Sequence, residues 1–213
     1  MPQNKIIKEA CVESLAQAVD AEKKGAHRIE LCARLDLGGI TPSHGLIQSC
    51  LEKLTIPIKV MIRPRGGDFV YTDAEIQSMK NEIEACKKLG VEEYVFGILK
   101  EDNTIDTDGM MSLSANVDNA PVTFHKAIDE VSDFKFAIEQ LKKLPAVKYI
   151  LTSGLAPTAM QGSEVLKQMI EICGSEITVV AAGKVTNENI DELHSLVHAE
   201  EYHGRLIVGN LNI

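Results

Sequence analysis

The chain has 213 residues, 45% of them hydrophobic and 25% charged, with a formal net charge of −9. That apolar content suffices for one sizeable core, and the acidic balance argues against non-specific nucleic-acid binding, which wants a basic surface, while leaving room for a small local basic site. No apolar run approaches the ~18 residues of a membrane span, and the start MPQNKIIKEA lacks a basic-then-apolar leader, so a cytoplasmic protein is expected.

Short runs rich in Val and Ile alternate with helix-period segments along the whole chain. IIKEAC (6–11) reads as a strand, and SLAQAVDAEKKG (14–25) as a helix with Ser14 as N-cap and Gly25 as its stop. RIELC (28–32) is the second strand. Residues two apart share a strand face, so Arg28, Glu30 and Cys32 lie on one side, with Ile29 and Leu31 on the other. A helix follows at 44–54, then the strand IKVMIR (58–63) and a long helix at 73–90 bounded by Asp73 and Gly90. The remaining elements are a strand at 93–99, a weaker helix near 107–117, a strand at 121–127 and a helix at 133–144. A strand at 148–154, a helix at 164–173, a strand at 177–183, a helix at 187–197 and the strand EYHG (201–204) complete the series.

Eight strands alternating with seven helices imply parallel pairing through right-handed crossovers, and hence a (β/α)8 TIM barrel formed by residues 1–213 as a single domain. A doubly wound open sheet would carry a glycine-rich turn after its first strand; the turn here is CVESL. The eighth helix is short or absent. Only RLIVGNLNI follows EYHG, so either this tail or a partner subunit is expected to cover the gap between helices, and a homo-oligomer is expected.

Active sites of such barrels lie at the C-terminal ends of the strands. The polar residues there are Glu9, Cys11, Glu30, Cys32, Arg63, Arg65, His125, Asp129, Ser153, Lys184 and His203. A charge inside a barrel costs several kcal/mol unless it is paired or hydrogen-bonded. Glu9, Glu30, Arg63, His125 and His203 are therefore either an internal ion-pair layer or a site for a polar ligand, with the carboxylates as acid or base, Arg63 as an anion clamp and His125 as a proton relay. Arg65, Ser153, Gly183 and Lys184 are candidate ligand-binding residues, the last two standing where barrels often hold a phosphate.

The five cysteines are odd in number and include no C-x-x-C pair, which argues against a disulfide framework. Cys50, Cys86 and Cys173 fall in helical segments and read as small core residues. Cys11 and Cys32 end neighbouring strands, about 4.8 Å apart. Two thiolates there suit a soft ion such as Cu(I), or zinc with further ligands; the residues alone equally allow two buried thiols in contact.

The blocks E-A-C-V-E-S (9–14), R-I-E-L-C (28–32), L-G-G-I-T-P-S (37–43), V-M-I-R-P-R-G-G-D-F-V-Y (60–71), T-F-H-K-A-I-D (123–129), I-L-T-S-G (150–154) and E-Y-H-G (201–204) resemble the CutC copper-homeostasis family. The resemblance runs from the first strand to the last. It implies an oligomeric cytoplasmic TIM barrel with a role in copper tolerance or trafficking, the copper ion as partner, and Cys11 and Cys32 as Cu(I) ligands. The alternative is a barrel enzyme acting on a small polar or phosphorylated substrate at the same mouth. The chain departs from the family pattern at Leu155 in TSGLAP and at Ala182 and Lys184 in AAGKV, where glycines are usual. Those losses weaken a phosphate site.

Overall fold

The computed structural model describes residues 6–212. Eight strands alternate with seven helices: β1 (Ile7–Val12), α1 (Leu15–Lys23), β2 (Arg28–Leu31), α2 (His44–Lys53), β3 (Ile58–Met61), α3 (Asp73–Leu89), β4 (Glu93–Phe96), α4 (Thr107–Ser114), β5 (Val122–Phe124), α5 (Phe134–Leu141), β6 (Val147–Thr152), α6 (Ser163–Cys173), β7 (Thr178–Ala181), α7 (Ile190–Val197) and β8 (Glu201–Gly204). All neighbours are parallel and in chain order, and β8 closes on β1. This is the TIM barrel that the alternation implies.

Alternation within the strands separates two cores. Ile29 and Leu31 of β2 are fully buried in the layer between sheet and helices, where Cys50, Cys86 and Cys173 also lie. Burial pushes those three thiols up, to about 11 at Cys50 and about 12 at Cys86 and Cys173, so they are inert packing groups. The other strand face fills the barrel with charge. Glu9 has no solvent exposure and lies between Arg28, Lys59 and His203, with Lys59 Nζ at 3.3 Å and His203 Nδ1 at 2.8 Å. Arg28 also pairs with Glu201. Lys59 donates to Thr123 Oγ1 at 2.8 Å and stands 3.6 Å from the centre of the Tyr149 ring. Burial alone would raise the Glu9 pKa; the Lys59 and Arg28 charges override it and hold the carboxyl well below its usual range.

Local boundaries follow the capping chemistry. Ser14 caps α1 by accepting from Gln17 N–H, as expected, and the chain turns at Gly25 (φ 88°), one residue beyond the Lys24 cap. The cap of α3 is Thr72 and not Asp73. Thr72 and Glu75 form a reciprocal capping box, and Asp73 falls in the first turn, where a carboxylate favours the helix dipole.

No eighth helix follows β8 among the described residues. The tail takes its place. Asn187 N–H donates to Leu206 O at 3.0 Å, Ile207 is fully buried, Lys24 Nζ donates to Asn210 O at 2.6 Å and Asn212 N–H donates to Asp20 at 2.9 Å. The segment thus crosses from the end of the β7–α7 connection to α1.

Candidate functional site

Parallel pairing of β1 with β2 sets Cys11 opposite Glu30, and pairing of β1 with β8 sets Glu9 opposite His203. Cys32 lies just past the end of β2. Its Sγ is 3.5 Å from Glu30 Oε2, and Cys11 Sγ is 3.2 Å from the same oxygen. His203 Nε2 approaches that oxygen to 3.6 Å while its Nδ1 meets Glu9, so the imidazole bridges the two carboxyl groups. Ligand atoms of Cys11, Glu30 and Cys32 all lie within 4.8 Å of one another, as do those of Glu9, Glu30 and His203. Cys32 is roofed by the turn that follows it: a Cβ at Gly39, whose φ is +86°, would stand 3.2 Å from the Cys32 sulfur. Only glycine fits a left-handed turn that close to a side chain.

The electrostatics of the cluster follow from this packing. The Cys32 thiol, and then His203, hold the Cys11 thiol well below its usual value despite burial. The Cys32 thiol is raised in turn by Cys11 and by burial. Burial pushes the Glu30 carboxyl up to about 8. Burial opposes the charged form of His203, but Glu30, Cys11 and Glu9 together hold its imidazole charged well above its ordinary range. The packing therefore favours the thiolate of Cys11 and the imidazolium of His203.

Above it opens a cavity of about 200 Å³, lined by Cys11, Glu30, Met61, Arg63, Phe69, His125, His203 and rim residues including Lys126 and Arg205. The expected convergence at one mouth holds for Glu30, Arg63, His125 and His203. Glu9 sits a layer below, in the ion network, and reaches the cavity only through His203. Arg63 donates from its Nη atoms to the carbonyls of Leu37 (3.3 Å), Gly39 (3.2 Å) and Gly67 (2.6 Å), and its guanidinium lies 4.6 Å from the centre of the Phe69 ring. His125 packs against the same ring at 4.7 Å. Burial, with Arg63 nearby, pushes the His125 imidazole down to about 3, so the ring is neutral. Gly97 is what admits it: a Cβ there would meet His125 Nδ1 at 2.8 Å.

The other sequence candidates lie elsewhere. Arg65 is tied to Asp68 (3.0 Å) and Glu75 (2.6 Å) at the start of α3. Ser153 belongs to a knot around Asp129, whose carboxylate accepts from Thr152 Oγ1, Ser153 N–H and Oγ, and Leu155 N–H, and pairs with Lys126. These donors of the β6–α6 loop thus hold the chain's own carboxylate. Gly183 packs onto that loop, its carbonyl accepting from Ala159 N–H at 2.9 Å, and Lys184 is exposed. The knot and the wall residue Phe69 were not singled out by sequence reasoning. The only available signals were Asp129 shortly after His125 and the aromatic ending of GGDF.

Asp129 yields a measurable expectation. Burial would raise its pKa, but Lys126 and the hydroxyl and amide donors hold it below the usual carboxylate range. A depressed carboxyl stabilises the fold above its unfolded value of about 3.9, and that contribution disappears as pH falls through the lower folded value. Asp129→Ala should lower stability near neutral pH by about 2–3 kcal/mol, since it orphans several donors. The gap from the parent should narrow below about pH 4 in urea-denaturation series.

Fold and site define a (β/α)8 barrel with a thiol–carboxylate–imidazole cluster at the C-terminal ends of its strands. The chain belongs to the CutC family, whose profile matches residues 6–208. The human copper homeostasis protein cutC homolog is 44% identical over 200 residues, which cover 94% of this chain and 73% of that protein. A CutC family protein of Aliivibrio fischeri is 40% identical over 197 residues, covering 92% and 79%. The crystal structure of a CutC protein from Streptococcus agalactiae superposes with a TM-score of 0.90 at 34% identity, covering 95% of this chain and 99% of that one. Two of the glycine-pattern departures keep a glycine-like backbone: Leu155 has φ 58° and Lys184 φ 57°. A left-handed residue with a Cβ costs roughly 1–2 kcal/mol. No helix among the described residues is long and apolar enough to cross a membrane.

Proposed function

We propose that this chain serves copper homeostasis by binding Cu(I) through the sulfurs of Cys11 and Cys32, in the cytoplasm. The observation that supports this reading is the approach of both sulfurs to one Glu30 oxygen at the barrel mouth, in a family whose human and mouse relatives are called copper homeostasis proteins. The donor set fits the ion. Cu(I) is soft and accepts low coordination by thiolates, whereas zinc ordinarily demands four ligands. Cys11 is biased toward its thiolate, and a His203 charge would offset part of the negative charge that a second thiolate adds. Glu30 stands as a neighbour that orients both sulfurs.

The test is a Cu(I) titration of the reduced protein against a competing chelator. One ion per chain is expected, and tight binding should disappear in the Cys11→Ser/Cys32→Ser double variant. Equal affinity in parent and double variant would refute the assignment.

A further inference from the structure

Arg63 is 5% exposed, yet among the described residues no carboxylate pairs with it. Its Nη atoms are engaged by three loop carbonyls, and its Nε has no partner. The other interior cations all have acids: Arg28 and Lys59 have Glu9, and His203 has Glu9 and Glu30. A buried guanidinium without a counter-charge is costly.

His125 shows a matching deficit across the Phe69 ring. Its Nδ1 accepts from Ala127 N–H, so the neutral ring carries its proton on Nε2, and that atom is buried without a partner. Both residues line the same cavity, whose remaining walls include Met61, Leu35 and Leu151. One cationic and one neutral N–H donor therefore lack acceptors beside a cavity whose walls are partly apolar.

We propose that this cavity binds a small 2-oxo carboxylate, the carboxylate taken by Arg63 Nε–H and the adjacent oxo oxygen by His125 Nε2–H. Two N–H groups of the Arg63 guanidinium remain unengaged, Nε–H and one on Nη2, which matches a carboxylate, and His203, Lys126 and Arg205 on the same walls also favour an anion. The apolar walls match a short carbon skeleton, and about 200 Å³ leaves room for one. A phosphate fits less well, because the amides of the β6–α6 loop, Ser153 N–H and Leu155 N–H, already serve Asp129. The proposal uses atoms distinct from the sulfur pair, so it stands or falls independently of copper binding.

The test uses the reduced, metal-free full chain, titrated with pyruvate and followed by NMR. The His125 Nε2–H resonance should move saturably, and inorganic phosphate should neither reproduce nor compete with the shift. His125→Asn, whose side-chain oxygen can still accept from Ala127 N–H, should weaken pyruvate binding at least about tenfold, as should Arg63→Lys. Should Arg63→Lys fail to fold, the parent resonance and His125→Asn decide. An unmoved His125 signal at high pyruvate, tighter binding of phosphate, or full affinity in folded His125→Asn overturns the proposal.

Discussion

Glu9→Leu is expected to lower the unfolding free energy by about 3–5 kcal/mol, as measured by urea denaturation of the reduced protein. The carboxylate has no solvent exposure and is shared by Arg28, Lys59 and His203. Its removal leaves these groups unequally served. Arg28 keeps Glu201 and His203 keeps Glu30, but Lys59 retains only a hydroxyl and the face of Tyr149. The cost is therefore mainly that of one buried ammonium left without an anion. The companion variant Glu9→Leu/Lys59→Met removes that ammonium too. It should recover about 1–3 kcal/mol relative to Glu9→Leu alone, because contacting residues in one network are not additive. Additive losses would mean that the two charges do not depend on each other.

The second large effect concerns the metal. Loss of either sulfur, by Cys11→Ser or Cys32→Ser, should reduce Cu(I) affinity at least about 100-fold, since even outer-shell partners are worth 10–100-fold and a ligand more. Glu30→Gln should fall within that outer-shell range: it keeps the shape of the side chain beside both sulfurs, but not the carboxyl's capacity to release and take up a proton. The ordering distinguishes a two-sulfur site from one centred on the carboxyl. If Glu30→Gln costs more than either serine variant, the ion sits between Glu9, Glu30 and His203, the other cluster with compatible spacing. Affinity should also fall on acidification, because both thiols must lose protons to bind and Cys32 holds its proton above the usual thiol range.

Much of this architecture was legible without coordinates. The strict strand–helix alternation implied the closed barrel. The two-residue period of RIELC correctly divided Ile29 and Leu31 from Arg28 and Glu30. The positions of Cys11 and Cys32 at the ends of adjacent strands allowed their sulfurs to approach each other, and both lie against Glu30. Strand ends were less legible. The run 93–99 forms ladder only over Glu93–Phe96, and just beyond it Gly97 leaves the space that the His125 ring occupies. A hydrophobic run records burial, and burial continues past the point where hydrogen-bonded pairing stops.

What the sequence determined by itself is the set of periodic local constraints: which faces are apolar, where helices are capped, and which side chains stand at strand tips. Those depend on residues a few positions apart, whose spacing the backbone geometry fixes. Depth and partnership were decided only by the tertiary structure. Glu9 and Glu30 look equivalent in sequence, yet one is sealed beneath the mouth with three cations and the other opens on the cavity. Arg63 and Arg65 look like a pair, yet one is buried without an acid and the other is neutralised by Asp68 and Glu75. Ser153 looks free to hold a ligand until Asp129 is brought across from the neighbouring strand's loop. The energy of a charge is set by what surrounds it in three dimensions, and closing the barrel brings together groups that are up to 194 residues apart in the chain.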